Sequence, residues 1–436
     1  MTARSYRKFI ARSLVMGAAL FMGMAGDCPM NGGMTGNTNG NDNTGNTNGN
    51  DNTGGTPSSL TPVNTGIEVH NSARVAAGDG IIAYGTGGFS GVDWIRKGDT
   101  AGRGVTNSAD YRASAFAVAG KKIIWIKSAD FTLHVFNTED DTTSDIAVTD
   151  IRLQNIPVGV QSQGHIRADG NYVATMSDDG EVTDGKIVKV VDVSGATPSI
   201  IAFGTNPASQ PDQIDVDAAN KMVAVADNDI FYVYDIDNPN TAPQMYDVSG
   251  EGGIQDTQMS FKDGMIFYHA FENGSTRAKM LDASDGSVMD MGVTEAAVNL
   301  CLNATGKYIY YVDRDALDSV GSDYRSGIGT TADLNPTLAG DEEARVTAGT
   351  DNLGRIGWAQ ACTIPPDGSY YFLCGVDSIG TGEWLHVGTG GTFVLLTDPD
   401  DSADMVRASD AHASNDIVAY KTGRNSDTTL GYIDLP

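Results

Sequence analysis

Five side-chain amides, Gln163, Gln213, Gln258, Asn299 and Gln360, fall one to a unit in five successive stretches of the chain, each at the start of a short strand-like segment. His165 and Arg167 stand beside the first, Asp215 beside the second, and Asp410 holds a similar place near the chain's end. An amide carries donors and an acceptor together, so a ring of them could bind sugar hydroxyls, a peptide backbone or a hydrated cation. The same groups could instead satisfy unpaired backbone of a neighbouring unit and hold no ligand. A polysaccharide-acting hydrolase or lyase would need an acid and a base within reach of each other, and His165, Arg167, Asp215 and Asp410 are the residues available for those roles.

Other chemistry is excluded by motif. The S-x-D-x-G-x-T-W turn of sialidases is absent, and Ala283-Ser284-Asp285-Gly286 echoes it without the Thr and Trp. There is no C-x-x-C-H, G-x-S-x-G, H-E-x-x-H or phosphate-binding glycine loop, and the six histidines are scattered singly. The densest carboxylate runs, Asp215-Val216-Asp217 with Asn220 and Asp398-Pro399-Asp400-Asp401 with Asp404, do not fit the D-x-[DN]-x-[DN]-G pattern of a calcium loop. No cofactor is therefore expected, calcium being the one ion such runs could suit. With 28 basic against 56 acidic side chains the net charge is −28, and no basic stripe follows residue 28. Binding to nucleic acid needs clustered Lys and Arg, so that function class is set aside.

The elements that must position these residues repeat. A short strand, a turn of Gly, Asp or Asn, and a more apolar strand recur eight times, as in KDGMIFYHA (262–270), ATGKYIYYV (304–312) and PDGSYYFLC (366–374). The apolar anchors after the turns, Ile82, Ile123, Val173, Val223, Ile266, Ile309, Tyr371 and Val418, stand 41 to 62 residues apart with a mean of 48. That period, with four strands to a unit, predicts an all-β fold, a β-propeller of about eight blades, or seven if the irregular sixth unit is not a blade of its own. Weaker segments such as 199–203 and 392–396 read as short outer edge strands. The last unit ends after its third strand, while residues 66–70 precede the first hairpin and belong to none. The expectation is that the N-terminal segment supplies the outer strand of the last blade. The long gap in the sixth unit reads as an acidic insertion from Asp313 to Asp351 on one rim.

The turns PDGSYYF (366–372) and TGKYIYY (305–311) resemble those of bacterial extracytoplasmic propellers with WD-repeat-like blades. The resemblance covers residues 65–436 and implies the fold. That family includes binding platforms, pore-associated factors and enzymes, so it does not imply one function.

Residues 1–28 read as a signal peptide, with Arg4, Arg7, Lys8 and Arg12 ahead of an apolar run from Leu14 to Met24 that is too short to span a bilayer. With Cys28 just beyond, the segment resembles a bacterial lipoprotein signal, which implies lipidation of Cys28, although Asp27 stands where such signals carry Gly or Ala; cleavage after Ala25 is the alternative. Residues 29–60 form a linker in which NTNGNDNTG occurs twice in tandem (37–45 and 46–54) with no apolar residue to bury. Residues 61–436 are then the propeller. Cys301, Cys362 and Cys374 remain in the body, which allows one disulfide. Cys362 and Cys374 are nearest in sequence and flank one turn; alternatively all three are small buried apolar residues. The reading is an exported, envelope-tethered binding module in the periplasm or at the cell surface. Its partner would be a protein, peptide or glycan and its only membrane contact a lipid at Cys28.

Overall fold

The computed structural model describes residues 60–69, 74–86, 91–105, 111–127, 133–146, 166–176, 187–204, 213–272, 275–291, 298–312, 326–331, 358–376, 383–388, 393–395, 411–422 and 428–436. All lie within Gly54–Pro436. Residues 1–28, expected to be a signal peptide, and the tandem repeat lie outside the described residues.

Eight antiparallel sheets form among the described residues, seven of four strands and one of three. Their first strands, in chain order, are Val75–Gly78, Tyr111–Ala119, Ile166–Asp169, Gln213–Asp217, Gln255–Lys262, Val298–Leu302, Trp358–Thr363 and Ala411–Ala413. We number the sheets 1 to 8 accordingly. Sheet 4 shows the pattern: Gln213–Asp217, Met222–Asp227, Ile230–Asp235 and Gln244–Asp247 pair in succession as a meander. The hairpins arise where the sequence puts them. Between Lys262 and Met265 of sheet 5, Asp263 and Gly264 both take positive φ (55° and 71°), the type I′ geometry whose twist matches the flanking strands.

Burial falls from the middle of each sheet to its outer edge. Ile81–Gly85 and most of Met222–Asp227 are buried throughout, whereas Ser199–Ala202 and Gln244–Asp247 are largely exposed. The sheets stack face to face, so a middle strand is covered on both sides and reads as a continuous apolar run. Its side chains alternate between two cores: in sheet 2, Ile123 and Trp125 pack with Trp94 of sheet 1, while Ile124 and Ile126 pack with Val173 and Val191 of sheet 3. Short polar outer strands leave little edge to template pairing with another chain. This stack of radial meanders is the expected β-propeller.

The N-terminal strand behaves as anticipated, with earlier bounds. Pro62–Glu68 is the outer strand of sheet 8, in the order Pro62–Glu68, Thr429–Asp434, Ile417–Thr422, Ala411–Ala413. It pairs Pro62 with Ile433 and Asn64 with Gly431, and after a bulge at Gly66 (φ 70°) rejoins the ladder at Glu68 and Thr429. Sheets 8 and 1 share a core containing Val69, Val75, Ile82, Ile417 and Leu430.

One expectation is corrected, and the cysteine pairing that the sequence left open is resolved. The stretch 313–351 is more than a rim loop, because it holds Ser326–Thr330, the third strand of sheet 6. The disulfide joins Cys301 to Cys362, from the first strand of sheet 6 to that of sheet 7, with 6.0 Å between Cα atoms. Cys362 and Cys374 are close in sequence but out of register, since Cys362 stands opposite Leu373 and Cys374 opposite Ala361. The bond closes a loop with a sequence separation of 61 that contains the irregular unit. By loop entropy such a cross-link stabilises by about 4 kcal/mol. Changing both Cys301 and Cys362 to Ser is therefore expected to lower the calorimetric unfolding temperature by several degrees. An unchanged transition would show that the bond constrains nothing.

Candidate functional site in the cavity at the first strands

The first strands of successive sheets lie against one another. Residues from all eight sheets line a single cavity of about 490 Å³. Its wall lies at the turn-proximal ends of these strands, where polar side chains tie each sheet to the next. Asp169, which ends the first strand of sheet 3, accepts the Ala218 N–H of sheet 4 at 2.8 Å. Asp215 of sheet 4 accepts the Phe261 N–H of sheet 5 at 2.8 Å and its neighbour Val216 N–H at 2.9 Å. Asp217 takes the Gly264 N–H at 2.9 Å and the Asn220 side-chain amide at 2.9 Å. On the far side, the Ala413 N–H of sheet 8 donates to Thr363 Oγ1 of sheet 7 at 3.0 Å. Linking blades through unpaired backbone was one role open to the amides; at these positions carboxylates and a hydroxyl fill it.

Lys262 spans this wall. Its ammonium lies 3.0 Å from Asp169 Oδ2 and 3.9 Å from Asp215 Oδ1, and it also donates to the Val216 carbonyl. Burial works against its charge, but Asp215 and Asp169 outweigh burial and hold its proton above the usual lysine value. Arg167 faces the same cavity. Burial weakens its hold on its proton, Asp215 offsets part of that, and Arg74 adds to it; a guanidinium nevertheless stays charged. Arg167 keeps some accessible surface although protein surrounds it, as a group facing an internal cavity does.

His412 completes the set from sheet 8. Its Nδ1 accepts the Ala77 N–H of sheet 1 at 3.1 Å, so the ring is neutral with its proton on Nε2. Burial, followed by Arg74 and Arg167, pushes its pKa down to about 4, against a weak opposing pull from Asp169; Lys262 pushes the same way as the arginines. The folded pKa lies below the unfolded one, so the neutral ring contributes stability above pH 6.5 that is lost as pH falls from 6.5 towards 4. The full difference is about 3 kcal/mol. Comparison of unfolding free energy from pH 7 to pH 4 is expected to show a loss larger by that amount in the wild type than in His412→Gln. Parallel profiles would refute the assignment.

The sequence-derived candidates are distributed as follows. Arg167 and Asp215 both line the cavity. Gln213 is buried at the start of its strand and does not line it. Gln258, Asn299 and Gln360 lie in first strands, each one or two positions before the lining residues of its own strand; their side chains are outside the described set. Gln163, His165 and Asp410 fall outside the described residues, as do Asp398 to Asp404. Among the described residues no group of three His, Cys, Asp or Glu could hold a metal ion. Sequence reasoning passed over Arg74, Asp169 and Lys262. For Asp169 and Lys262 the signal was a charged residue at or just before the turn, as in Ala168-Asp169-Gly170 and Lys262-Asp263-Gly264, whereas Arg74 stands at the opposite end of its strand.

No family model matches the chain, and no curated protein sequence is similar to it. Several solved structures are loosely similar. The β-propeller domain of the Trilobed protease from Pyrococcus furiosus aligns over 83% of this chain and 93% of its own, at 9% identity and a TM-score of 0.44. YCF48 bound to a D1 peptide aligns over 86% and 97%, at 10% identity and a TM-score of 0.41. A eukaryotic initiation factor aligns over 79% and 78%, at 11% identity and a TM-score of 0.44. The class is set by this chain's own sheets: a β-propeller with a charged cavity at its first strands.

Proposed function

We propose that this chain is an exported, envelope-tethered β-propeller whose cavity at the first strands binds a protein or peptide partner. The observation that carries the reading is the cavity: eight sheets each contribute to it, and its lining gathers charged side chains of both signs, Arg74, Arg167 and Lys262 with Asp79, Asp169 and Asp215. Charged groups gathered in a concave site are a common basis for orienting a ligand. Export is supported by the basic and apolar leader and by the Cys301–Cys362 disulfide, which suits an oxidising compartment. The tandem Asn/Gly/Thr repeat and Cys28 supply a tether and a lipid anchor.

A hydrolytic mechanism finds less support. Of the four residues named for it, Arg167 does not release its proton, and both Asp215 oxygens already accept backbone N–H groups.

The test is capture. Full-length protein is immobilised, native envelope extract is passed over it, and retained material is identified beside an Arg167→Gln variant. A specific protein or peptide held by the wild type and at least tenfold depleted on the variant is expected. Retention of nothing, of glycan alone, or of the same proteins by both would overturn the reading.

A further inference from the structure

The Cys301–Cys362 disulfide ties the first strand of sheet 6 to that of sheet 7, and both half-cystines also line the cavity. We propose that this disulfide is a thiol-exchange site, opened through the cavity by small thiols, and that its opening loosens the cavity wall between sheets 6 and 7. The proposal stands apart from the protein or peptide reading of the cavity and does not depend on it.

Exchange begins when a thiolate reaches one of the two sulfurs, so access governs whether a disulfide inside a folded protein reacts. Cys301 is half-buried, whereas Cys362 is only 7% exposed. The residues next to them, Leu302 and Thr363, are buried and line the same cavity, which makes the cavity the route to the sulfurs. A volume of about 490 Å³ admits a tripeptide-sized thiol but not a macromolecule.

The incoming thiolate attacks Cys301 Sγ, the sulfur of the less buried residue. A new S–S bond forms there as the Cys301–Cys362 bond breaks, and the electron pair leaves on Cys362 Sγ, which takes a proton from water. A second thiolate then attacks the added sulfur, releasing the small disulfide and leaving Cys301 as a thiol once it too is protonated. Two small thiols are oxidised to one disulfide while the protein disulfide is reduced to two thiols.

Further ties across this boundary sit at the turns. The Asn303 side-chain amide donates to the Pro365 carbonyl at 2.9 Å, and the Lys307 ammonium donates to the Gly368 carbonyl at 2.6 Å. These bonds survive reduction, so the turns stay docked while the strands Val298–Leu302 and Trp358–Thr363 lose the cross-link between them. The result is a local opening of the wall rather than global unfolding.

The experiment uses full-length oxidised protein and reduced glutathione, either free or coupled to a dextran too large for the cavity. Each form is applied to the folded and to the urea-unfolded chain, and acid-quenched samples are mapped by peptide mass. Free glutathione is expected to open the folded protein within about tenfold of its rate on the unfolded chain, and the coupled form to be slowed about a hundredfold by folding. The trapped mixed disulfide should sit on Cys301. Hydrogen exchange of the reduced protein should quicken at 298–302 and 358–363 and stay unchanged at 213–217. Equal slowing of the two forms by folding would show that the bond opens only when the chain unfolds, and would overturn the proposal. An adduct mainly on Cys362, or exchange that is unchanged or quickened throughout on reduction, would overturn it as well.

Discussion

Removal of residues 60–69 is expected to disrupt sheets 8, 1 and 7 together rather than fray one edge. Leu60 packs in the core between sheets 7 and 8 with Phe372 and Ile433, and Val69 packs in the core between sheets 8 and 1 with Val75 and Ile417. Burying these two side chains contributes about 4 kcal/mol. The deletion also removes the ladder from Pro62 to Glu68, the Thr65 hydroxyl bond to the Leu430 carbonyl (2.8 Å) and the Val69 N–H bond to the Thr428 carbonyl (2.8 Å). Thr429–Asp434 would become an exposed edge with buried apolar residues behind it, a template for association. Hydrogen exchange should show lost protection at 75–78 and 417–422 as well as at 429–434. Protection retained in sheet 1 would contradict the account.

Lys262→Met is expected to cost about 3 kcal/mol, a large effect for a single side chain. The ammonium is mostly buried between two carboxylates that are themselves fixed by backbone amides from neighbouring sheets. Without it Asp169 and Asp215 face each other across the wall with no cation between them, and removal of one member of a buried charge cluster leaves the others uncompensated. Adding Asp169→Asn to Lys262→Met should recover part of the loss, because one of the two charges is then gone. Urea unfolding of the two single variants and the double gives the coupling directly. A Lys262→Met cost below about 0.5 kcal/mol, typical of a surface site, would show that Lys262 is not the keystone of this cluster.

The fold was legible because its local signals agree. Turn residues such as Asp263-Gly264, apolar second strands such as Ile81–Gly85 and polar edges such as Ser199–Ala202 each point to the same radial meander. The pairing of the chain's ends was legible from counting, since the last unit lacks one strand and the N-terminus has one to spare. What runs between sheets was hidden. Cys301 meets Cys362 because the first strands of sheets 6 and 7 are neighbours, and nearness along the chain favoured Cys374. The third strand of sheet 6 was read as part of a loop because Ser326-Gly327-Ile328-Gly329-Thr330 has only one apolar residue. The candidate site was legible in part. Arg167 and Asp215 were found from their place at the strand starts, but which end of the first strand lines the cavity depends on how the sheets converge. That convergence is a tertiary property, and it moved the charged lining towards the turns, to Lys262 and Asp169.

The most direct test of the cavity as binding site is hydrogen exchange on the complex recovered by capture, compared with the free chain. The account predicts new protection in residues 74–79, 166–170, 259–264 and 411–416, the turn-proximal ends of the first strands that line the cavity. Protection confined to the outer strands 199–202, 244–247 and 288–290 would place the partner on the propeller's rim and contradict it.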